Sequence, residues 1–266
     1  MTVVLYIIAA LIGISLGLIG AGGAIVAVPA FVYLAAIPPT LASGYALFVV
    51  AVSATVGSAQ YVRKKLVDWR SVFAFGSTTL ISIAAVRKLV LPSIPDTFFL
   101  WPTSIVLERD ATLMLAFAVV LIAASIGMLR GQIATAHAGQ THIARLAFFG
   151  LVIGTISGFL GVGGGFLMTP ALVLWARLDI RRAIGTSLVL MAANSATGVA
   201  TDLIRGVSYD WPFVLTFTAV TTAGIIAGTS LSHRIDGSKL KAGFGWFVLA
   251  VGMAVLAREL LGASCC

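Results

Sequence analysis

The stretch Gly17–Ala30, GLIGAGGAIVAVPA, places four glycines within seven residues of otherwise apolar sequence. The pattern returns at Gly158–Ala171, GFLGVGGGFLMTPA, with glycines at the same spacing and a proline at the same place. Glycine in a helix interior costs about 1 kcal/mol relative to alanine. A costly pattern that recurs in register therefore indicates a specific role for these glycines.

The two stretches belong to a longer internal repeat. A shift of 141 residues aligns 13–57 with 154–198 without a gap, and 14 of the 45 aligned positions are identical, glycines and a proline among them. A shared apolar composition alone would not place these residues in register, so the pattern indicates an internal duplication. We divide the chain into a first repeat at 1–130, a predicted cytoplasmic linker at 131–141 and a second repeat at 142–266.

The composition is that of a protein embedded in a membrane. Of the 266 residues, 60% are hydrophobic and 10% are charged, whereas soluble domains carry about 25% charged residues. Apolar segments fall at about 3–19, 24–36, 41–62, 71–90 and 111–129 in the first repeat and at about 143–160, 165–176, 183–204, 212–231 and 242–261 in the second. We predict an all-α, polytopic helical bundle with about 8–10 membrane segments.

The basic residues define a topology for these segments. Most of them lie in the gaps between apolar segments, the others lie near segment ends, and they form no basic tail, so the net charge of +8 gives no reason to expect nucleic acid as a partner. Twelve of the 17 lie in the loops 63–70, 130–145, 177–182 and 233–241, which the positive-inside rule assigns to the cytoplasm. Each repeat then crosses an odd number of times. We therefore expect two inverted repeats, the architecture that secondary transporters use for alternating access.

The glycine clusters predict discontinuous helices. Two short apolar segments separated by consecutive glycines are typical of a membrane helix that breaks and restarts. The exposed N–H groups of such a break are costly in hydrocarbon unless something satisfies them, and an anion at the N-terminus of the second half-helix does so. The predicted anion-binding backbone comprises Gly20, Gly22, Gly23 and Ala24 in the first repeat and Gly161, Gly163, Gly164 and Gly165 in the second. We expect the two N-termini to converge near the pseudo-twofold axis.

Glycine has two other common uses in such sequences. Gly154 and Gly158, like their counterparts 141 residues earlier, form small-xxx-small ridges that favour close helix packing. A dinucleotide-binding G-x-G-x-x-G is excluded, because its third glycine is replaced by Ile25 in one copy and Phe166 in the other.

Four polar residues inside the apolar segments are further candidates for substrate contact. They are Ser53, Thr186, Ser187 and Asn194, of which Ser53 and Asn194 are equivalent positions of the two repeats. Their neutral hydrogen-bonding groups suit the oxygens of an anion, although bonds between helices are the alternative. No Asp, Glu or His lies centrally in a segment, so we predict no catalytic residues, no metal site, no cofactor and no enzymatic activity.

The residues also carry a resemblance to a known family. The pattern G-x-x-G-x-G-G-[AG] followed by P-x-[LF]-V occurs twice, and Ala183–Leu188 (AIGTSL) and Gly228–Ile235 (GTSLSHRI) follow it. These motifs resemble the sulfite exporter TauE/SafE family over essentially the whole chain, apart from an insertion at 91–110. The first repeat departs from the pattern, with Tyr45 where the second has Thr186. We expect Tyr45 to cap or narrow the site.

The resemblance implies a multi-pass permease of the bacterial inner membrane. Its partners would be the lipid bilayer and a small anion such as sulfite, sulfoacetate or a related sulfonate. Two alternatives stay open from the sequence, namely an anion channel and a transporter of small carboxylates that use the same site. The sequence also leaves open whether the protein forms a homodimer.

Overall fold

The computed structural model describes residues 2–20, 22–90, 97–100, 105–130, 143–160, 165–174, 176–232 and 237–263. Within these ranges the chain forms ten α-helices: α1 (Thr2–Ile19), α2 (Gly22–Leu34), α3 (Pro39–Arg63), α4 (Trp69–Ala85), α5 (Arg109–Arg130), α6 (Ile143–Leu160), α7 (Gly165–Leu174), α8 (Ile180–Ile204), α9 (Trp211–Ser232) and α10 (Gly237–Ala263). A π-helical turn, Val86–Val90, continues α4. Each predicted apolar segment coincides with one helix.

Several of these helices are long and apolar enough to cross a membrane. The four that meet both conditions in the described part of the chain are Pro39–Arg63, Trp69–Val90, Ile180–Ile204 and Trp211–Ser232, and the shorter apolar helices are Val4–Leu18, Met114–Gly127 and Leu146–Phe159. Large apolar side chains such as Phe73 and Ile81 are exposed, as a surface in contact with lipid requires. The helical membrane fold predicted from composition is thus present.

The all-α prediction holds for the bundle but not for the insertion at 91–110, where the structure has two short strands. Thr97–Leu100 (β1) and Ile105–Glu108 (β2) pair as a two-stranded antiparallel hairpin, with Phe98 opposite Leu107 and Phe99 opposite Val106. Aromatic and β-branched residues in short runs favour strands. The prolines and Trp101 around these runs are typical of a loop and masked the β-signal.

The long helices α3 and α8 cross each other in opposite directions. Leu47 of α3 lies against Gly198 of α8, and Leu188 of α8 lies against Gly57 of α3. As α3 advances from 47 to 57, its contacts on α8 therefore retreat from 198 to 188. Each contact is the counterpart of the other under the 141-residue shift, so the pair has approximate twofold symmetry.

The first helix of each repeat packs against the other repeat. Gly13 of α1 packs against the backbone of Thr221 of α9, four residues before Gly17 packs against Ile225. In the second repeat α6 packs on α4 in the same way, and Gly154 lies against Thr79. Because contacts advance together along both pairs, α1 runs parallel to α9 and α6 parallel to α4. The glycine ridges predicted for close packing form these two interfaces.

The same exchange holds for the rest of the bundle. Every helix of one repeat has a counterpart five helices away in the other, so that α1 corresponds to α6 and α4 to α9. The packing of α3 on α9 thus corresponds to that of α8 on α4, and the packing of α2 on α3 to that of α7 on α8. The bonds Ser53–Thr222 and Tyr61–Ser232 show that α3 runs parallel to α9. Helices α1, α3 and α9 thus share one direction, whereas α6 and α8, the counterparts of α1 and α3, run oppositely with α4.

The loops that precede α4 and α9 are held by equivalent contacts. The backbone N–H of Asp68, the N-cap of α4, donates to the hydroxyl of Thr186 at 2.9 Å. In the other repeat the N–H of Asp210 donates to the hydroxyl of Tyr45 at the same distance. Tyr45 and Thr186 are therefore equivalent in contact as well as in sequence, each fastening one repeat to a helix start of the other.

Substitution of Gly13 should destabilise the bundle. In Gly13→Ala the new Cβ would overlap the carbonyl oxygen of Thr221 and lie 2.9 Å from the Cα of Gly224. Because both atoms are backbone, α1 must move away from α9. We expect a loss of about 2 kcal/mol or more, measured as a lower midpoint of thermal unfolding in detergent. Gly127→Ala, where a Cβ meets nothing within 4 Å, is the control and should unfold like the wild type. Equal midpoints for both variants would contradict the packing described.

Candidate functional site

The first glycine cluster coincides with a break between two helices. Helix α1 ends at Ile19, and α2 begins at Gly22. Between them Gly20 still donates its N–H to Leu16 at 2.8 Å but has a φ of +71°. This left-handed conformation is readily adopted only by glycine. The first N–H groups of α2, which include those of Gly22 and Gly23, have no partner within their own helix.

The break lies against the second repeat. Gly20 is buried beside Ile184 and Ser187 of α8. The Ser187 hydroxyl lies 3.2 Å from the carbonyl oxygen of Gly20 and 2.9 Å from that of Ile184, and it accepts a hydrogen bond from Thr169 of α7 at 2.9 Å. One fully buried hydroxyl therefore joins the helix break of the first repeat to the short helix of the second.

A second polar cluster lies farther along α8. Asn194 is fully buried, and its Oδ1 accepts a hydrogen bond from the hydroxyl of Thr79 at 3.1 Å. Its amide nitrogen faces the sulfur of Met168 at 3.8 Å, its one acceptor among the residues that the structure describes. A thioether is a weak acceptor, and an amide has two N–H donors. Since Met168 and Thr169 are consecutive on α7, this cluster adjoins that of Ser187.

Ser53 and Asn194 lie close to the centre of the crossing between α3 and α8. The contacts at 47–198 and 57–188 place the midpoint within one or two residues of both side chains. Ser53 is buried and lies 3.3 Å from the hydroxyl of Thr222. It has no hydrogen bond to the Ser187 cluster among the described residues. The two equivalent positions thus occupy opposite sides of the approximate twofold axis.

The remaining predicted residues are placed in different ways. The hydroxyl of Thr186 accepts a hydrogen bond from the backbone N–H of Asp68, in the loop before α4. This contact is separate from the polar cluster around the neighbouring residue Ser187. Gly22, Gly23 and Ala24 form the first turn of α2, and Gly165 begins α7. Gly161, Gly163 and Gly164 lie outside the described residues, as does the linker 131–141.

Three buried polar groups were missed by the sequence analysis. The hydroxyl of Ser195, next to Asn194, has no hydrogen-bond partner among the described residues. Arg87 and Asp202 form an ion pair at the ends of α4 and α8, and both side chains are almost completely buried. The available signal was an arginine in one apolar segment and an aspartate in another, which in membrane proteins usually find each other. Both stand near segment ends, where charges are ordinarily solvated, so the signal was weak.

Tyr209, in the loop between α8 and α9, completes this ion pair. Its hydroxyl donates to Asp202 at 3.4 Å, and it is buried. Burial, followed by the charge of Asp202, raises the pKa of Tyr209 above its usual range. The phenol therefore stays protonated and remains a donor throughout the physiological pH range.

Comparison with known proteins identifies a family. The model of the family described as Sulfite exporter TauE/SafE matches residues 5–255, nearly the whole chain. No solved structure matches the chain.

Several curated proteins are similar over almost their full length. A protein of Xylella fastidiosa (strain Temecula1) is 31% identical over 260 residues, covering 94% of this chain and 92% of its own. A counterpart from strain 9a5c is 30% identical over 259 residues with the same coverage. YunE of Bacillus subtilis is 28% identical over 247 residues, which are 88% of each chain. All three are described as probable membrane transporter proteins.

The break at Gly20 should tolerate no side chain. In Gly20→Ala the left-handed backbone costs about 1–2 kcal/mol, and the Cβ would also lie 2.8 Å from Ile184. Gly206→Ala is a matched control, because Gly206 has a φ of +78° but open space around it. Thermal unfolding should show a larger loss for Gly20→Ala than for Gly206→Ala. Equal losses would mean that the break is not packed against α8.

Proposed function

Because this chain belongs to the sulfite exporter TauE/SafE family, we propose that it is a secondary transporter of small anions, sulfite or organosulfonates. Its relatives are described as probable membrane transporters, and the family is one of transporters and not of enzymes. The chain is accordingly a multi-pass membrane protein. The proposal goes further and concerns the anion, its site and the way in which it moves.

Alternating access is supported by the opposed directions of the two repeats. Helices α3 and α8 are antiparallel and lie on the approximate twofold axis, while α1 and α6 are each packed on the other repeat. In inverted repeats the two halves exchange conformations when the transporter changes from one open side to the other. The exchanged first helices would couple the halves, so that one cannot rock without displacing the other.

The observation that carries the proposed site is the incomplete hydrogen bonding of Asn194. Its amide N–H groups face only the sulfur of Met168 among the described residues, although the side chain is fully buried. An anion oxygen would replace this weak acceptor with a strong, charged one. Ser187 and the start of α2 adjoin the same region, and the hydroxyl of Ser53 lies across the axis.

The glycines add backbone donors to this site. The N-terminus of α2, at Gly22, Gly23 and Ala24, carries N–H groups that have no partner within their own helix, together with the positive end of the helix dipole. We propose the same role for the second cluster, at Gly161 and Gly163–Gly165. These donors are neutral and do not titrate, so their binding of a monoanion does not depend on the protonation state of a protein side chain. A sulfite or sulfonate group, with three oxygens, can accept from several of them at once.

The membrane potential favours export of an anion from the cytoplasm. A monoanion that leaves the cytoplasm moves down the inside-negative membrane potential, which supplies about 2.3 kcal/mol per 100 mV. Export of one negative charge therefore needs no carboxylate relay at the membrane centre, and the apolar segments of the sequence carry none there. Coupling through a proton carried on the substrate is compatible with the same site.

Truncation of Asn194 should weaken anion transport. In proteoliposomes with an imposed potential, Asn194→Ala should raise the KM for sulfite about 10- to 100-fold, since a hydrogen bond to a charged group contributes about 1.5–3 kcal/mol. Thr197→Ala, one turn along α8, is the matched control. The Thr197 hydroxyl bonds only to the carbonyl of Ala193 among the described residues, so this variant should transport like the wild type.

The same vesicles separate the alternatives. Saturable flux and exchange of internal for external sulfite support a transporter, whereas unsaturable flux at high rate would identify an anion channel. Flux of acetate and other short carboxylates without flux of sulfite or methanesulfonate would assign the site to carboxylates. If the wild type transports sulfite and Asn194→Ala has the same KM, Asn194 does not contact the anion.

A further inference from the structure

The ion pair between Arg87 and Asp202 is the most deeply buried charged feature of the described chain. The Nε atom of Arg87 donates to Asp202 Oδ1 at 3.0 Å, and its Nη2 atom contacts Asp202 Oδ2. The arginine is 1% exposed and the aspartate 3%. Both residues belong to helices that are long and apolar enough to cross the membrane. Charged side chains in such helices are costly and usually have a specific role.

The arginine is not fully satisfied by its partner. Its third nitrogen, Nη1, is buried and has no hydrogen-bond acceptor among the residues that the structure describes. A guanidinium group carries five N–H donors, and the aspartate engages only the Nε–Nη2 edge. A buried cationic donor without an acceptor is costly, and an anion at Nη1 would remove that cost.

The surrounding charges also favour an anion. Arg205 donates from its Nη1 to the backbone carbonyl of Arg87 at 3.0 Å, which brings a second guanidinium to the group. Asp202 is the one carboxylate that contacts this group among the described residues. Arg205 is exposed, but its attachment to the backbone of Arg87 leaves more positive than negative charge at this point.

The local backbone is unusual at the same point. Arg87 lies in the π-helical turn Val86–Val90 that ends α4. Single π-turns widen a helix and occur frequently at functional sites. Within this turn Val86 and Arg87 are buried, while Lys88 is exposed. Val86 also lies against Gly158, near the end of α6, so the arginine lies close to the point where α6 ends before the second glycine cluster.

We propose that Arg87 binds the transported anion and that Asp202 is the counter-ion that holds its guanidinium in place when the anion is absent. This inference rests on the proposed function and adds a charged subsite to the neutral one at Asn194. On the charge-based topology of the sequence, the subsite lies toward the non-cytoplasmic side. The fork between Arg87 and a sulfite or sulfonate group uses the geometry for which arginine is suited.

A purely structural ion pair would behave differently when its charges are removed. If the pair only stabilises the fold, loss of either charge leaves the other buried and unpaired, and removal of both restores stability. If Arg87 binds the anion, the two residues are not equivalent. The negative charge of Asp202 then opposes that of an anion at Nη1, and its neutralisation strengthens anion binding.

The test compares Arg87→Gln, Asp202→Asn and the double variant in detergent-purified protein, with sulfite as the probe in calorimetric titration and thermal unfolding as a separate measure. We expect Arg87→Gln to weaken sulfite binding at least about tenfold, since it removes a charged hydrogen bond. Asp202→Asn should strengthen binding, since it removes a negative charge beside the anion. The double variant should fold, because no unpaired charge remains, and should bind as poorly as Arg87→Gln. Arg87→Lys keeps the charge but loses the two-pronged guanidinium geometry, so its affinity for sulfite should lie between those of the wild type and Arg87→Gln.

The outcomes distinguish this inference from the proposed function. If the double variant binds and transports sulfite like the wild type, the ion pair is structural and the inference is wrong, while the transporter stands. Equal weakening in Arg87→Gln and Asp202→Asn, with recovery in the double variant, would likewise overturn the inference alone. If the wild type neither binds nor transports sulfite, methanesulfonate or acetate, the proposed function fails, and this inference fails with it.

Discussion

The requirement that every main-chain N–H and C=O be satisfied in hydrocarbon governs this protein. A membrane helix can break only where other groups replace the lost hydrogen bonds. At Gly20 the chain leaves α1, and the buried hydroxyl of Ser187 from the other repeat meets the carbonyl oxygen that the break exposes. The first N–H groups of α2 are left as donors, and an anion is a partner of the appropriate charge. The break therefore supplies the donors that the proposed anion site requires.

The exchange of helices explains why the break can be held in place. Glycines on α1 and α6 allow the backbone of each helix to approach that of the other repeat at Thr221 and Thr79. Neither repeat can bury its own first helix without its partner, so the duplicated halves form one bundle. The same arrangement would make a movement of one half relative to the other a concerted event, as the proposed alternating access requires.

Much of the fold followed from periodicities that a single sequence contains. The repeat offset, the ten helices and the packing glycines are local or translational patterns, and the structure has the helices and the glycine contacts. The polar clusters could not be found in this way, since Ser187 meets Gly20 and Thr169 only through tertiary packing. Thr186, its neighbour and also a predicted site residue, accepts a hydrogen bond from the backbone of Asp68, a contact that the sequence did not indicate. Arg87 and Asp202 are 115 positions apart, and only the parallel packing of α4 and α8 brings them together.

We propose that main-chain amides at a helix break hold the anion. Hydrogen–deuterium exchange of the purified protein, with and without sulfite, measures those amides directly. We predict that sulfite slows exchange at Gly22–Ile25 selectively, while the amides of the α1–α9 interface around Gly13 keep their rates. Exchange at Gly22–Ile25 that is unaffected by saturating sulfite, or slowed no more than in the rest of the bundle, would contradict it.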